Sequence, residues 1–257
     1  GNYNEAIQSA SGAKADLDIN QLGDRNYAKQ QFEGSFAFSA KNTGSIVQTG
    51  NWNDARQFMD GGTEGNNVDG TQIGNNNFSL QRVDGNFNTN ISSVIGNDND
   101  IRIGQVGEEN STEIAFNNSG NGLASGNDVD VNQTGDYNSL LVTIPRGDVG
   151  GDNNIVNVKH EGNGHQNRVS IDGSGNDIRI DASGNVGGSQ YAGNKGDWSF
   201  QDNDPLWNER SDNNELDLIQ SGTNNFATGD VAGDNNQIDI KQTGEGNMVG
   251  SDWFAKD

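Results

Sequence analysis

The stretch IDIKQTGEGNMV, residues 238–249, recurs with small changes as VDVNQTGDYNSL at residues 129–140 and as LDINQLGDRNYA at residues 17–28. Each copy places apolar residues, a glutamine, a glycine and an asparagine at the same offsets. Alternation of apolar and polar residues is typical of a β-strand with one buried face. The Gly-x-x-Asn segment that follows predicts a tight turn, because glycine tolerates left-handed backbone conformations. The stretch therefore predicts a strand–turn–strand unit that repeats along the chain.

Nine copies of the unit align on the pattern Gln-x-Gly-x-x-Asn. Its turn glycines are Gly23, Gly50, Gly74, Gly107, Gly135, Gly162, Gly184, Gly222 and Gly244. The inward polar residues around these glycines, with two histidines replacing amides in one copy, are Gln21, Asn26, Gln48, Asn53, Gln72, Asn77, Gln105, Asn110, Gln133, Asn138, His160, His165, Gln220, Asn225, Gln242 and Asn247. A further asparagine stands six residues before the glutamine position in every copy but the first, which has Ala15.

The spacing of the copies predicts one domain over residues 1–257. It consists of a half repeat at 1–14, repeats that begin near residues 15, 42, 66, 99, 127, 154, 176, 214 and 236, and an insertion at 190–210. The segment GNFNTNISSV, residues 85–94, looks like an extra half-unit between two repeats.

A unit of two short strands cannot bury its apolar face alone, so the copies must stack on one another. Stacking at roughly 4.8 Å per layer places equivalent residues above one another. Buried amides are costly unless they are hydrogen-bonded, and identical neighbours in a stack satisfy them. We therefore predict an all-β fold, a β-solenoid of about nine two-strand β-arches with cross-β stacking, in which glutamine and asparagine form ladders.

Composition excludes several classes of protein. The 257-residue chain has a formal net charge of −22, which argues against a basic nucleic-acid-binding face. It has no cysteine, and therefore no disulfide or cysteine metal site, and its apolar runs are too short to span a membrane. Acidic residues are spread along the chain rather than clustered as an enzyme would require, so we expect a protein that is not an enzyme.

These columns resemble the curlin repeat of curli fibre subunits, Ser-x5-Gln-x-Gly-x2-Asn-x-Ala-x3-Gln. Its centre is matched by Gln21, Gly23, Asn26 and Ala28, and again by the sets around Gly50 and Gly222. The chain departs from it by an asparagine in place of the first serine and by a closing glutamine two residues early, at Gln8, Gln30, Gln57 and Gln81. The resemblance implies an extracellular, cell-surface fibre of self-assembling amyloid-like subunits that contributes to biofilm matrix and adhesion, with a nucleator and secretion factors as possible helpers.

The ends of the chain favour the same function. Gly1, Asn4, Ala6 and Gln8 continue the inward columns, and so do Val249, Ser251 and Trp253 at the other end, so both ends expose open strand edges. Such edges favour a head-to-tail homopolymer.

Other interpretations stay open. The segments GNDNDIRIG at 96–104 and GSGNDIRID at 173–181 are similar to calcium-binding nonapeptides, although the shortest repeat here is longer than two of them. A secreted monomeric adhesin or an RTX-like calcium β-roll is therefore the alternative function. We expect no cofactor, with weak surface calcium binding possible. His160 and His165 could replace ladder amides or form part of a pH sensor or zinc site. The aromatic residues of the insertion could pack on the solenoid or bind a glycan.

Overall fold

The computed structural model describes residues 1–11, 14–33, 40–60, 64–116, 124–144, 152–171, 173–182, 195–200, 213–232 and 234–254. Within these ranges the chain forms strands and turns and contains no helix, so none of the described segments is a helix that could cross a membrane. The predicted all-β solenoid is confirmed.

Two parallel sheets face each other, and successive strands of the chain alternate between them. Sheet 1 is the 10-stranded stack β1 (Glu5–Ser11), β3 (Tyr27–Glu33), β5 (Asp54–Asp60), β7 (Phe78–Asp84), β9 (Asp100–Val106), β12 (Asp128–Thr134), β14 (Ile155–Glu161), β16 (Asp177–Asp181), β18 (Glu215–Thr223) and β20 (Gln237–Glu245). Sheet 2 contains β2 (Ala15–Leu22), β4 (Asn42–Thr49), β6 (Asn67–Ile73), β8 (Thr89–Asn97), β10 (Ser111–Phe116), β13 (Ser139–Ile144), β15 (Gln166–Ile171), β17 (Lys195–Phe200), β19 (Phe226–Ala232) and β21 (Met248–Phe254), with the short β11 (Ala124–Ser125) beside β8.

Strand register follows from the alternation in the sequence. Val131 of β12 lies between Ile103 of β9 and Val158 of β14, and all three side chains are buried. The residues between them, such as Asp130, point outward. A shift by one residue would expose every apolar side chain of a strand, so the buried face sets the register.

The turns depend on glycine. Gly50 has a φ of 119°, and a Cβ added to it would lie 1.9 Å from the carbonyl oxygen of Gly74 in the next layer. Two residues on, Trp52 is also left-handed, with a φ of 62°, and it remains 56% exposed. The chain therefore reverses over four residues, while successive turns stack at van der Waals distance.

The half-unit at residues 85–94 changes the phase of the solenoid. Before it, the strand with the repeat's glutamine lies in sheet 2, as in β2, β4 and β6. The extra strand, β8, takes the next place in sheet 2, so the glutamine-bearing strands from β9 onward lie in sheet 1. The later repeats are thus the earlier ones turned by half a revolution about the stacking axis.

The predicted insertion at 190–210 contains one strand of the solenoid. Residues 195–200 form β17, which pairs with β15 and β19 and supplies the second strand of its repeat. Alternation alone could not locate this strand, because the preceding connection is unusually long. The rest of the insertion, including Tyr191 and Trp207, lies outside the described residues, as does Gly184.

Candidate functional site: stacked amide ladders

A continuous ladder of asparagines follows the turn that leads from sheet 2 into sheet 1. In each layer the side-chain Oδ1 accepts a hydrogen bond from the backbone N–H of the next asparagine, at 2.8 to 3.2 Å. The members of this first ladder are Asn4, Asn26, Asn53, Asn77, Asn99, Asn127, Asn154, Asn176, Asn214 and Asn236.

The same asparagines also connect the turns. Asn26 donates from Nδ2 to the carbonyl oxygen of Gly50, and Asn53 donates to that of Gly74, both at 2.8 Å. Each of these two side chains therefore bonds to its equivalent in one layer and to the turn of the adjacent layer. Aspartate could accept these bonds but could not donate them, which explains why asparagine is used in so acidic a chain.

A second ladder follows the opposite turn, from sheet 1 into sheet 2. It runs through Asn42, Asn66, Asn88, Asn110 and Asn138 to the backbone N–H of His165, and Asn225 and Asn247 repeat the contact near the end of the chain. The phase change at β8 explains its composition. The asparagine after the turn glycine lies in the first ladder in early repeats, as Asn26 does, and in the second ladder in later ones, as Asn110 does.

Glutamine ladders are shorter than the single column predicted from the sequence. In sheet 2, Gln21 donates to Gln48 and Gln48 to Gln72, at 2.8 and 2.9 Å. Gln72 then lies opposite Val94, and Gln105, in the other sheet, lies opposite Val83. The predicted continuity between Gln72 and Gln105 is therefore wrong, because the half-unit moves the glutamine to the other sheet.

In the later repeats the ladder resumes in sheet 1. Gln105 donates to Gln133 at 3.0 Å, and Gln133 contacts Nδ1 of His160 at 3.4 Å. Ala182, which is buried, takes the next position and interrupts the ladder. Gln220 and Gln242 then pair at 2.7 Å.

One further ladder was not among the predicted site residues. Gln8, Gln30, Gln57 and Gln81 form a chain of amide hydrogen bonds in sheet 1, each at 2.9 Å. Gln57 also donates across the interior to the carbonyl oxygens of Ser45 and Val68 in sheet 2. Glycines in sheet 2 leave room for this contact, since a Cβ on Gly70 would meet Gln81 at 3.2 Å. The signal was present in the sequence as the early closing glutamine.

The two histidines occupy ladder positions and are buried. His160 contacts Gln133 through Nδ1 and the Asn167 amide, 2.6 Å away, through Nε2. Burial, with a smaller contribution from His165, lowers the pKa of His160 to about 3. The His165 ring contacts the carbonyl oxygen of Glu161 at 2.8 Å, and burial lowers its pKa as well. Both rings are therefore neutral at pH 7 and serve as hydrogen-bonding groups.

The outer face of sheet 1 carries ion pairs and stacked cations. Arg56 binds Asp54 at 2.6 Å and lies 5.3 Å from the ring of Tyr27. The hydrogen bond to Asp54 raises the pKa of Arg56. Partial burial raises the pKa of Asp100, against the opposing effect of its partner Arg102.

Among the described residues, no three histidine, aspartate or glutamate side chains are grouped to hold a metal ion.

Each layer presents backbone groups, ladder amides and turn carbonyls in nearly the same arrangement as the layer beneath it. Within the described residues, neighbouring layers therefore bind each other through repeated hydrogen bonds and burial of side chains.

Comparison with known families agrees with this geometry. A model of the curlin associated repeat matches residues 212–244. This segment is similar to a curlin repeat. It contains β18 together with ladder residues Asn214, Gln220, Asn225 and Gln242. The match confirms the predicted resemblance to a divergent curlin repeat, and the stacked parallel strands fit a structural fibre subunit. A search of curated proteins found no match to the chain.

Proposed function

We propose that this protein is the structural subunit of an extracellular, self-assembling, amyloid-like fibre that contributes to biofilm matrix and adhesion. The observation that carries the proposal is the continuous first asparagine ladder, from Asn4 to Asn236. Every layer binds the next through the same groups, so a layer at one end of a subunit can bind a layer at the opposite end of another. Such a contact is heterologous and does not close, and it therefore propagates as a filament.

The residues that would meet at this junction are set by the register. Asn4 of one copy would follow Asn236 of the preceding copy in the first ladder. In sheet 1, β1 would follow β20, so Gln8 would lie over Ile240 and Ala10 over Gln242. The chain already accommodates a contact of this type where Gln81 lies opposite Ile103. An amide above an aliphatic side chain is therefore compatible with stacking.

Edge hydrogen bonds supply a directed test. The N–H groups of outward-facing strand residues point to the following layer, as Glu215 does when it donates to the carbonyl oxygen of Asn236. By the same alternation, the N–H of Lys241 in β20 points toward the incoming subunit. Lys241→Pro removes this donor without deleting a bond to β18, and proline is tolerated at a strand edge.

We expect the unmodified protein to form long unbranched filaments with a meridional reflection near ~4.8 Å. We expect Lys241→Pro to bind seed ends and stop their growth, measured by thioflavin fluorescence and electron microscopy. Lys241→Ala keeps the N–H and should extend seeds normally. Unmodified protein that stays monomeric under all conditions would refute the fibre, and normal extension by Lys241→Pro would refute this junction.

A second candidate is a secreted monomeric adhesin that binds glycans. It is favoured by Tyr3 and Trp52, which are exposed on the turns on either side of the Arg25 turn, with the Arg25 guanidinium 5.8 Å from the Tyr3 ring and 4.5 Å from the Trp52 ring. The absence of filaments, together with retention on a polysaccharide column that Trp52→Ala abolishes, would favour this function instead.

A further inference from the structure

The middle of the outer face of sheet 2 carries fewer charged side chains than the outer face of sheet 1. We define the neutral face as the outward-facing side chains of β4, β6, β8, β10 and β13. They are mainly serine, threonine and aliphatic residues, and the charged ones are Asp69 and Glu113. On sheet 1, the outward-facing side chains of β5 alone include Asp54, Arg56 and Asp60.

The neutral face is also partly apolar. Val47, Ile73, Ile91, Ile95 and Leu141 project from it, and Ile73 is 39% exposed. Flat parallel strands with outward β-branched side chains pack well against a similar surface, as in the dry interfaces between paired cross-β sheets. Within the described residues, these five strands pair with their neighbours in sheet 2 and, at the end of β8, with the short β11.

We propose that the neutral face binds the neutral face of a second copy of this chain, so that two solenoids run side by side. The distribution of charge indicates that the molecule bound to the neutral face is a second copy of the chain. Two chains of net charge −22 repel each other through most of their surfaces, and exposed like charges interact within about 10 Å at 0.1 M salt. The neutral face brings two copies together with the fewest like charges in contact.

The area is sufficient for a stable pair. Five strands at ~4.8 Å and about seven residues at ~3.3 Å give a face of roughly 550 Å². Two such faces bury roughly 1,100 Å² in total, which passes the lower limit of about 1,000 Å² for a biological interface.

The two remaining charges choose the orientation. Asp69, Ile91 and Glu113 occupy one column of the sheet, so an antiparallel pair centred on β8 would place Asp69 opposite Glu113. In a parallel pair, a twofold axis along the stacking direction places each strand opposite the same strand of the second copy, running the other way. When this axis passes between the columns of Asp69 and Thr71, Asp69 lies opposite Thr71 of the second copy. Glu113 then lies opposite Ala115 of the second copy, so no like charges meet. Parallel solenoids also fit the proposed filament, although the pair itself does not depend on filament growth.

The test is a double variant, Thr71→Glu with Ser93→Glu, which places carboxylates opposite Asp69 and Ile91 of the partner. The matched control is Asn132→Glu with Asn157→Glu, which adds the same charge to the exposed face of sheet 1. Both pairs of substitutions lie at outward positions, and equal thermal midpoints would establish that both variants are folded.

The readout is mass. Soluble unmodified protein and the control should sediment at about twice the 27.4 kDa mass of one chain, and the Thr71/Ser93 variant as a single chain. In filaments, scanning transmission microscopy should give the unmodified protein and the control twice the mass per length of that variant, which should have roughly 0.6 kDa per Å for one chain over ten layers. Single-chain mass for the unmodified protein would overturn the proposal, and so would an unchanged mass for the variant. Filaments with the mass per length of a single solenoid would refute the side-by-side pair and support the fibre. Soluble dimers that form no filaments would support the pair and refute the fibre.

Discussion

The layers from β1 to β7 and those from β9 to β20 fill the same backbone with different chemistry. In the first region the middle inward position of sheet 1 is a glutamine, as in Gln57, and the apolar clusters are small, around Phe32 and Ile46. In the second region the same position is aliphatic, as in Ile180, and one apolar cluster extends from Val94 to Ile240. Either glutamine or aliphatic side chains can therefore fill the interior, provided that the inward side chains of neighbouring layers are compatible.

What the two regions share lies at the turns. The first asparagine ladder passes from Asn77 to Asn99 to Asn127 without a break, although the interior changes there from amide to aliphatic. Turn hydrogen bonds thus hold the layer spacing and register, and the interior supplies burial or ladder bonds as its sequence permits. This separation explains how a half-unit could be inserted at β8 without disrupting the stack.

The largest expected effect comes from transferring the chemistry of the first region into the second. Ile180→Gln places an amide between Val158 and Leu218, where neither neighbour can bond to it. Loss of apolar burial and an unpaired amide together should lower the free energy of unfolding by about 4–5 kcal/mol. Urea unfolding of soluble protein measures this change.

Ile180→Val is the control for that prediction, since it removes one methyl group and should cost only about 1 kcal/mol. If Ile180→Gln costs no more than Ile180→Val, the amide has found partners, and the interior of the second region is not dry.

Much of this organisation could be predicted from the sequence because alternation and repeat spacing are local signals. They gave the solenoid, the buried parity of residues such as Val131, and the turn glycines. They could not show that Gln72 and Gln105 belong to different sheets, because that depends on how many strands separate them around the solenoid. The β17 strand was missed because its connections are too long for the repeat spacing to locate it.

Acid should weaken the second region selectively, because both histidines of the chain lie in it. The folded pKa of His160, about 3, lies below the value of about 6.5 expected in the unfolded chain, so the unfolded chain binds more protons between these values. Stability is fully present above pH 6.5 and is lost as the pH falls through this window, by about 1.4 kcal/mol per pH unit at most. At pH 4 the loss should reach about 3 kcal/mol.

The variant His160→Gln isolates this effect, because it restores the residue type of the column and keeps the carboxylates, which also titrate in acid. The difference in unfolding free energy between the two proteins should grow from pH 7 to pH 4. A difference that does not change with pH would mean that His160 becomes protonated within the fold.

The smallest expected effect lies at the boundary of the two regions, where Asn88 and Asn90 are both buried yet have opposite roles. Asn88 is a ladder residue whose side chain donates to Gly107 and accepts from Asn110. Asn90 lies in a column between Val68 and Thr112, and neither of its side-chain polar atoms has a hydrogen-bond partner among the described residues. Removing a buried unsatisfied amide and adding a β-branched side chain should stabilise the protein, so Asn90→Val should raise the free energy of unfolding by about 1–2 kcal/mol. Asn88→Val should lower it by a similar or larger amount, since it leaves the groups of Gly107 and Asn110 unpaired. The urea unfolding midpoints of the two variants, compared with that of the unmodified protein, test both predictions. If Asn90→Val lowers the midpoint, the boundary requires an amide in the interior as well as at the turn.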